Sequence, residues 1–182
     1  MSSRKAIEVL LAQLDQAWGS VQDYLAGLTA DEFIWSPGEN TWHLTPSAQE
    51  GRWTIPYSWI PPQPAPFTTI AWRMAHMAVN KVLVLDHAFG ARKARLADLD
   101  LPPDLDGMIA YLHACHQPFR AQVERLTDDD LPTLRYSEWG EQRATERIIA
   151  SAILHDVEHG AQIATVRELY RHWEKDNEQK IR

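Results

Sequence analysis

Apolar residues recur at helical spacing in four segments of the chain. In the first, roughly residues 3–28, they stand three and four positions apart: Ile7, Leu10, Leu11, Leu14, Trp18, Val21 and Leu25. This spacing places them on one side of an α-helix. Similar patterns cover roughly residues 67–94, a segment that begins near Asp104, and roughly residues 142–175. The chain is therefore predicted to form four amphipathic helices. Asp104 is the expected N-cap of the third helix, because it follows Pro102 and Pro103.

No segment alternates convincingly between apolar and polar residues as a half-buried strand does. Long amphipathic helices without strands are typical of all-α folds in which helices pack side by side. A chain of 182 residues is long enough for one such core and short for two. We therefore expect a single domain, residues 1–182, folded as a four-helix bundle.

The connection between the first two helices, residues 34–66, has an unusual composition. It contains seven of the eleven prolines and four of the eight tryptophans: Trp35, Trp42, Trp53 and Trp59. Disordered segments lack such aromatic content, and ordered connections of this length tend to be functional. We expect an ordered excursion whose Trp rings cover one end of the bundle. A second interpretation is that it also walls a ligand pocket.

Charge and composition narrow the possible classes of function. The formal net charge is −7 and no run of Lys or Arg is present, which argues against a nucleic-acid partner. Arg73, Lys81 and Asp86 interrupt the longest apolar stretches, so no membrane span is predicted. The N-terminus lacks an apolar leader, and Cys115 has no second cysteine to pair with. A cytoplasmic location is the resulting expectation, as a monomer or a homodimer.

Three histidines lie on apolar helix faces. His155 and His159 are four residues apart on the fourth helix, so both rings can reach one ion, and they share a side with Ile163. His76 shares a face of the second helix with Val79. Three inward imidazoles suit a divalent metal ion with one position left open for water or substrate. Hydrogen-bonded core histidines would give the same pattern, and the residues alone leave that alternative open.

Two segments resemble the DinB/YfiT-like metalloenzyme superfamily. Thr68–His76, which reads Thr-Thr-Ile-Ala-Trp-Arg-Met-Ala-His, is similar to the second-helix signature of that family. His155–Ile163, which reads His-Asp-Val-Glu-His-Gly-Ala-Gln-Ile and is followed by Arg-Glu-Leu-Tyr at 167–170, is similar to its fourth helix. The resemblance covers nearly the whole chain. It implies one nickel or zinc ion held by three histidines: His76, His155 and His159.

The resemblance also implies an activity, because the family includes mycothiol-dependent maleylpyruvate isomerase and mycothiol or bacillithiol S-transferases. It implies that a low-molecular-weight thiol such as mycothiol binds the metal and attacks a small electrophile. The alternative is a non-catalytic, metal-stabilised bundle that binds a ligand or partner. The sequence His155–His159 also fits an inverted zinc-peptidase motif with Glu158 or Asp156 as base. That activity needs a further ligand on a separate downstream element, and the fourth helix leaves no room for one.

Other polar residues are candidates for supporting roles. Gln162, one turn beyond His159, is a candidate acceptor for the second N–H of a ligating imidazole, or an ordinary polar residue at the edge of the core. His43 and His116 are candidates for a fourth ligand or a proton shuttle, and buried structural roles are the alternative. Ligation by neutral imidazoles predicts weaker metal affinity below about pH 6, where an unperturbed histidine protonates.

Overall fold

The computed structural model describes residues 3–58, 60 and 62–181, and most of them are helical. The described residues form five α-helices: α1 (Lys5–Leu25), α2 (Ala30–Ile34), α3 (Ile70–Phe89), α4 (Leu105–Glu124) and α5 (Thr145–Ile181). The prediction of a mainly helical fold is confirmed, and the long helices lie in the segments whose pattern predicts them. Trp59 of the 34–66 connection lies outside the described residues.

The helix ends follow from local capping. Helix α1 stops at Leu25, three residues before the predicted end, and Gly27 then adopts a φ of 66° that favours glycine. Helix α3 begins only after Thr69, whose side-chain oxygen accepts the N–H of Trp72 at 3.1 Å. The predicted N-cap of α4 is confirmed, because an Asp104 carboxylate oxygen accepts a backbone N–H in the first turn.

The long helices pack around two groups of buried apolar residues. Helix α3 lies against both α4 and α5, and α1 lies against α5 and α4. One group surrounds Met74 and Met108, and the other surrounds Leu14, Phe119 and Ile149. Within the part of the chain that the structure describes, no helix is long and apolar enough to span a membrane.

The structure contains short strands, so the expectation of a chain without strands is wrong. Strands β5 (Leu134–Tyr136) and β6 (Gln142–Ala144) form an antiparallel hairpin that pairs Leu134 with Ala144. The sequence predicts that the fourth helix begins near Gln142. In the structure, residues 142–144 pair with β5 instead, and α5 begins at Thr145. The backbone N–H of Thr145 donates to Thr133 across the base of the hairpin. Gly140, at a φ of 82°, closes the turn.

The connection between α2 and α3 contains two more strand pairs. Strand β1 (Thr41–Trp42) runs parallel to β4 (Phe67–Thr68), and β2 (Thr45–Pro46) is antiparallel to β3 (Trp53–Thr54). The connection is fastened to α3 by the indole N–H of Trp72, which donates to the Pro56 carbonyl at 2.8 Å. Ile55 is buried in the core at this point. This fastening brings residues 55–57 beside the first turns of α3.

Candidate metal centre

The three predicted histidines come together between α3 and α5. Each offers one ring nitrogen, and these nitrogens all lie within 4.8 Å of one another. The Nε2 atoms of His76 and His155 are 3.0 Å apart, and the ring centroids of His155 and His159 are 4.3 Å apart. All three side chains are half-buried. Such a cluster of nitrogen donors can hold a metal ion.

Helix packing sets this geometry. His155 and His159 are one turn apart on α5, and His76 faces them from α3, which packs directly on α5. Gly160 follows His159, and a Cβ there would lie 3.1 Å from a Val21 methyl group. The absence of a side chain at this position lets α5 approach α1 closely beside the cluster.

A buried ion pair holds the same two helices together behind the histidines. Lys81 of α3 donates to both carboxylate oxygens of Asp156 of α5, at 2.6 Å each, and both side chains are 0% exposed. Asp156 adjoins His155 in sequence, so the pair fixes α5 at the level of the cluster. The carboxylate is committed to Lys81, which leaves Asp156 unavailable as the general base of a peptidase.

The histidines are neutral at physiological pH. Burial is the main cause, and it lowers the pKa of His76 to about 3 and that of His159 to about 4. Burial lowers the pKa of His155 as well, and the two neighbouring imidazoles act in the same direction. Neutral imidazole is the form that ligates a metal ion, so the lone pairs of the cluster are available without prior deprotonation.

Polar partners surround His159. The structure places Gln162 Oε1 2.6 Å from His159 Nδ1, where an acceptor for the outer N–H of a ligating imidazole would lie. Gln162 itself is exposed. The same amide oxygen accepts from the guanidinium of Arg73, in the first turn of α3. The sequence predicted no role for Arg73 at the site and showed it only as a charged residue that interrupts an apolar stretch.

The sequence did not predict several other side chains that lie near the cluster. Tyr57 from the long connection stacks on His76 with ring centroids 5.5 Å apart. Glu138, at the tip of the hairpin, accepts from the amide of Asn80 at 3.3 Å. These residues are far apart along the chain, and their own sequence neighbourhoods carry no ligand pattern. Two basic residues within the apolar pattern of α3, Arg73 and Lys81, are the signals that could have directed attention to this region.

The remaining candidates lie outside the cluster. His116 is 2% exposed and stacks on Trp18 at a centroid distance of 4.0 Å, which favours the structural role. His43 is exposed in the long connection. Glu158 is exposed beside His155 and lines a polar groove there. Among the described residues, the group that could hold a metal ion comprises the three predicted histidines alone.

Comparison with known proteins places the chain among its relatives. A sequence profile of the DinB superfamily matches residues 13–163, a range that contains all three histidines. The fold is similar to that of a conserved protein from Enterococcus faecalis known from a crystal structure, with a TM-score of 0.57 and 14% identity. The match covers 92% of this chain and 98% of that one, and at this identity it supports the fold alone. No significant match is found among curated proteins.

Proposed function

This chain belongs to the DinB superfamily, and from that premise we propose that it binds one divalent metal ion, nickel or zinc, through His76, His155 and His159. We further propose that the loaded protein is a thiol S-transferase using a low-molecular-weight thiol of the mycothiol or bacillithiol type. The observation that carries the metal proposal is the convergence of three ring nitrogens within 4.8 Å. We also propose that the long helices form a four-helix bundle of the DinB type.

The chemistry of the donor set fits such an ion. Imidazole nitrogens suit zinc and nickel, whereas magnesium and calcium prefer oxygen ligands. Three protein ligands are typical of catalytic sites, which keep one position open, and structural zinc sites are usually closed by four. Two carboxylates adjoin the histidines in sequence: that of Asp156 is bound to Lys81, and that of Glu158 is exposed. The cluster therefore offers three neutral donors and no fourth protein ligand among the described residues.

When bound, the ion would supply Lewis acidity that deprotonates a coordinated thiol at neutral pH. The protein's own residues would orient the reactants. Tyr57 keeps its proton, because burial raises the pKa of its hydroxyl and the Glu138 carboxylate acts in the same direction. The Tyr57 hydroxyl can therefore donate a hydrogen bond, and the Tyr57 ring stacks on His76. We propose a cytoplasmic location, because such thiols are kept reduced there and Cys115 needs no disulfide partner.

Metal content tests the first part of the proposal. Purified protein should contain about one nickel or zinc ion per chain by elemental analysis, as expected for a single three-histidine site. His76→Ala and His155→Ala should each abolish tight binding. His172→Ala is the matched control, because His172 is an exposed histidine on the same helix as His155. Full occupancy in either cluster variant would show that the ligands are wrongly assigned.

Thiol consumption tests the second part. Metal-loaded protein is offered mycothiol, bacillithiol, glutathione and coenzyme A together with monobromobimane, with His155→Ala as the control. We expect faster consumption of mycothiol or bacillithiol than in the control. If no thiol is consumed faster than in His155→Ala, the non-catalytic, metal-stabilised bundle replaces the transferase.

A further inference from the structure

Two cavities of different chemistry meet at His76. One has a volume of about 160 Å³, and its walls include the aliphatic side chains of Ile55, Val79, Leu83 and Leu96. The other is a groove of about 290 Å³ whose walls include the polar side chains of Arg143, Ser151 and Glu158. We call them the apolar cavity and the polar groove. Since His76 borders both, a reacting atom near the cluster can be reached from either side.

The wall that the two cavities share includes Trp139, Tyr57 and His76, which belong to a stack of rings from three separate elements. Trp139 of the hairpin turn lies over Tyr57 with centroids 6.1 Å apart and planes inclined by 18°. Tyr57 lies over His76 at 5.5 Å and 19°, and His76 lies over Trp72 at 4.7 Å and 18°. The Trp72 indole is itself hydrogen-bonded to the Pro56 carbonyl. Contacts within the protein therefore hold the wall, which lowers the entropic cost of binding a flat apolar group against it.

The size of the apolar cavity limits its occupant. An engineered apolar cavity of about 150 Å³ in another protein stays dry and binds benzene, and the cavity here has nearly the same volume. Its lining combines aliphatic side chains with the edge of an aromatic stack, which suits a carbon ring. Glu138 also borders it, and a carboxylate disfavours a ligand that carries a negative charge.

We propose that the apolar cavity binds one uncharged six-membered carbon ring, which is the apolar part of the electrophile, and that the polar groove takes the polar body of the thiol. The role of the ring as electrophile rests on the proposed transferase function. With benzyl bromide as the model electrophile, the thiolate sulfur forms a bond to the benzylic carbon as the carbon–bromine bond breaks. Bromide leaves with the bonding electron pair, and the thiol proton passes to solvent.

Binding of toluene tests the cavity without metal, thiol or turnover. Ligand-observed NMR should detect toluene on the wild-type protein. Leu83→Phe, which fills the cavity, should weaken binding by about tenfold or more, because an overpacked apolar site leaves no room for the ring. Leu85→Phe is the matched control, since it makes the same change on the same helix but lines a different groove. If Leu83→Phe does not fold, Leu96→Phe fills the cavity from outside the helix.

The outcomes separate the two proposals. Absence of toluene binding to the wild type, or equal binding to the filled variant, overturns the cavity assignment whatever the metal assay gives. Toluene binding that is lost on filling, without thiol consumption, supports the cavity and overturns the transferase. If thiol is consumed, benzyl bromide should show a raised KM in Leu83→Phe, and 4-carboxybenzyl bromide should be a poorer substrate of the wild type. An unchanged KM in the filled variant overturns the electrophile's placement.

Discussion

The two ring nitrogens of His159 have different surroundings, and the difference assigns their protons. Nδ1 lies 2.6 Å from the Gln162 amide oxygen and 3.2 Å from an Arg73 guanidinium nitrogen. A guanidinium only donates, so the Gln162 atom that contacts Arg73 must be the carbonyl oxygen. That oxygen therefore accepts both the Arg73 N–H and the Nδ1–H of His159. Arg73 and Nδ1 are close because both donate to this one oxygen, and no hydrogen bond joins them. The lone pair of His159 is thereby left on Nε2.

Removing this acceptor should weaken metal binding without removing a ligand. Gln162→Leu should lower the affinity for nickel or zinc by about 10-fold to 100-fold, the usual effect of losing an outer hydrogen-bond partner of a ligating histidine. Competition with a chromogenic chelator measures it. Gln162→Glu keeps an acceptor at the same position and should restore most of the affinity. Equal affinity in Gln162→Leu and the wild type would show that the amide does not orient the imidazole.

The Lys81–Asp156 pair gives a second prediction for single residues. Lys81→Met leaves a carboxylate without a partner in a position that is 0% exposed, and such a loss typically costs about 3–5 kcal/mol of unfolding free energy. The double change Lys81→Met with Asp156→Leu removes both charges and should recover most of that loss. Urea denaturation of the single and double variants measures both values. A single variant as stable as the wild type would mean that water reaches Asp156.

At the scale of elements, local signals in the sequence located the helices and missed the strands. The apolar helix faces and the Asp104 cap depend on residues within one or two turns of each other, so they can be predicted from neighbouring residues in the sequence. Strand β1 pairs with β4 across the whole 41–68 segment, and each strand has only two residues. Two or three residues are too few to show the alternation of apolar and polar residues by which a strand is predicted. These pairings follow from tertiary packing, which a single sequence does not display.

Two glycines in different elements provide a matched stability test. Gly140 closes the β5–β6 turn at a φ of 82°, and a Cβ there would meet no atom within 4 Å, so Gly140→Ala carries only backbone strain. That strain should destabilise the protein by about 1 kcal/mol. Gly19 lies in α1 with equally open surroundings, and Gly19→Ala should stabilise the helix by about 0.5–1 kcal/mol. Chemical denaturation should give opposite signs, and equal signs would contradict the turn geometry.

At the scale of the whole molecule, the sequence predicted the histidine cluster better than its surroundings. His155 and His159 show their spacing within five residues, and His76 lies on an apolar helix face within a segment that resembles the family. Tyr57, Glu138 and Arg73 reach the site from the long connection, the hairpin and the first turn of α3. No periodicity links them, because their proximity depends on how the helices and the hairpin pack together. The convergence of the three histidines could be predicted from the sequence, and the cavities beside them could not.

The buried histidines make the stability of the whole metal-free protein depend on pH. Burial lowers the pKa of His76 and His116 to about 3 and that of His159 to about 4, whereas unfolded histidines titrate near 6.5. Between these values the unfolded chain binds more protons than the folded one, so unfolding free energy falls as pH falls. Each such histidine contributes a slope of up to about 1.4 kcal/mol per pH unit.

Urea denaturation of chelator-treated protein from pH 7 to pH 4.5 measures this slope, and His116→Phe isolates one contribution. Phe keeps a ring against Trp18 and does not titrate, so the slope below pH 6 should decrease by about 1.4 kcal/mol per pH unit. An unchanged slope would mean that His116 takes up its proton in the folded state.

The lowered pKa values of His76 and His159 also lower the pH at which acid should release the metal. Protons compete for His76 and His159 only near pH 3–4, so folded protein should retain its ion well below pH 6.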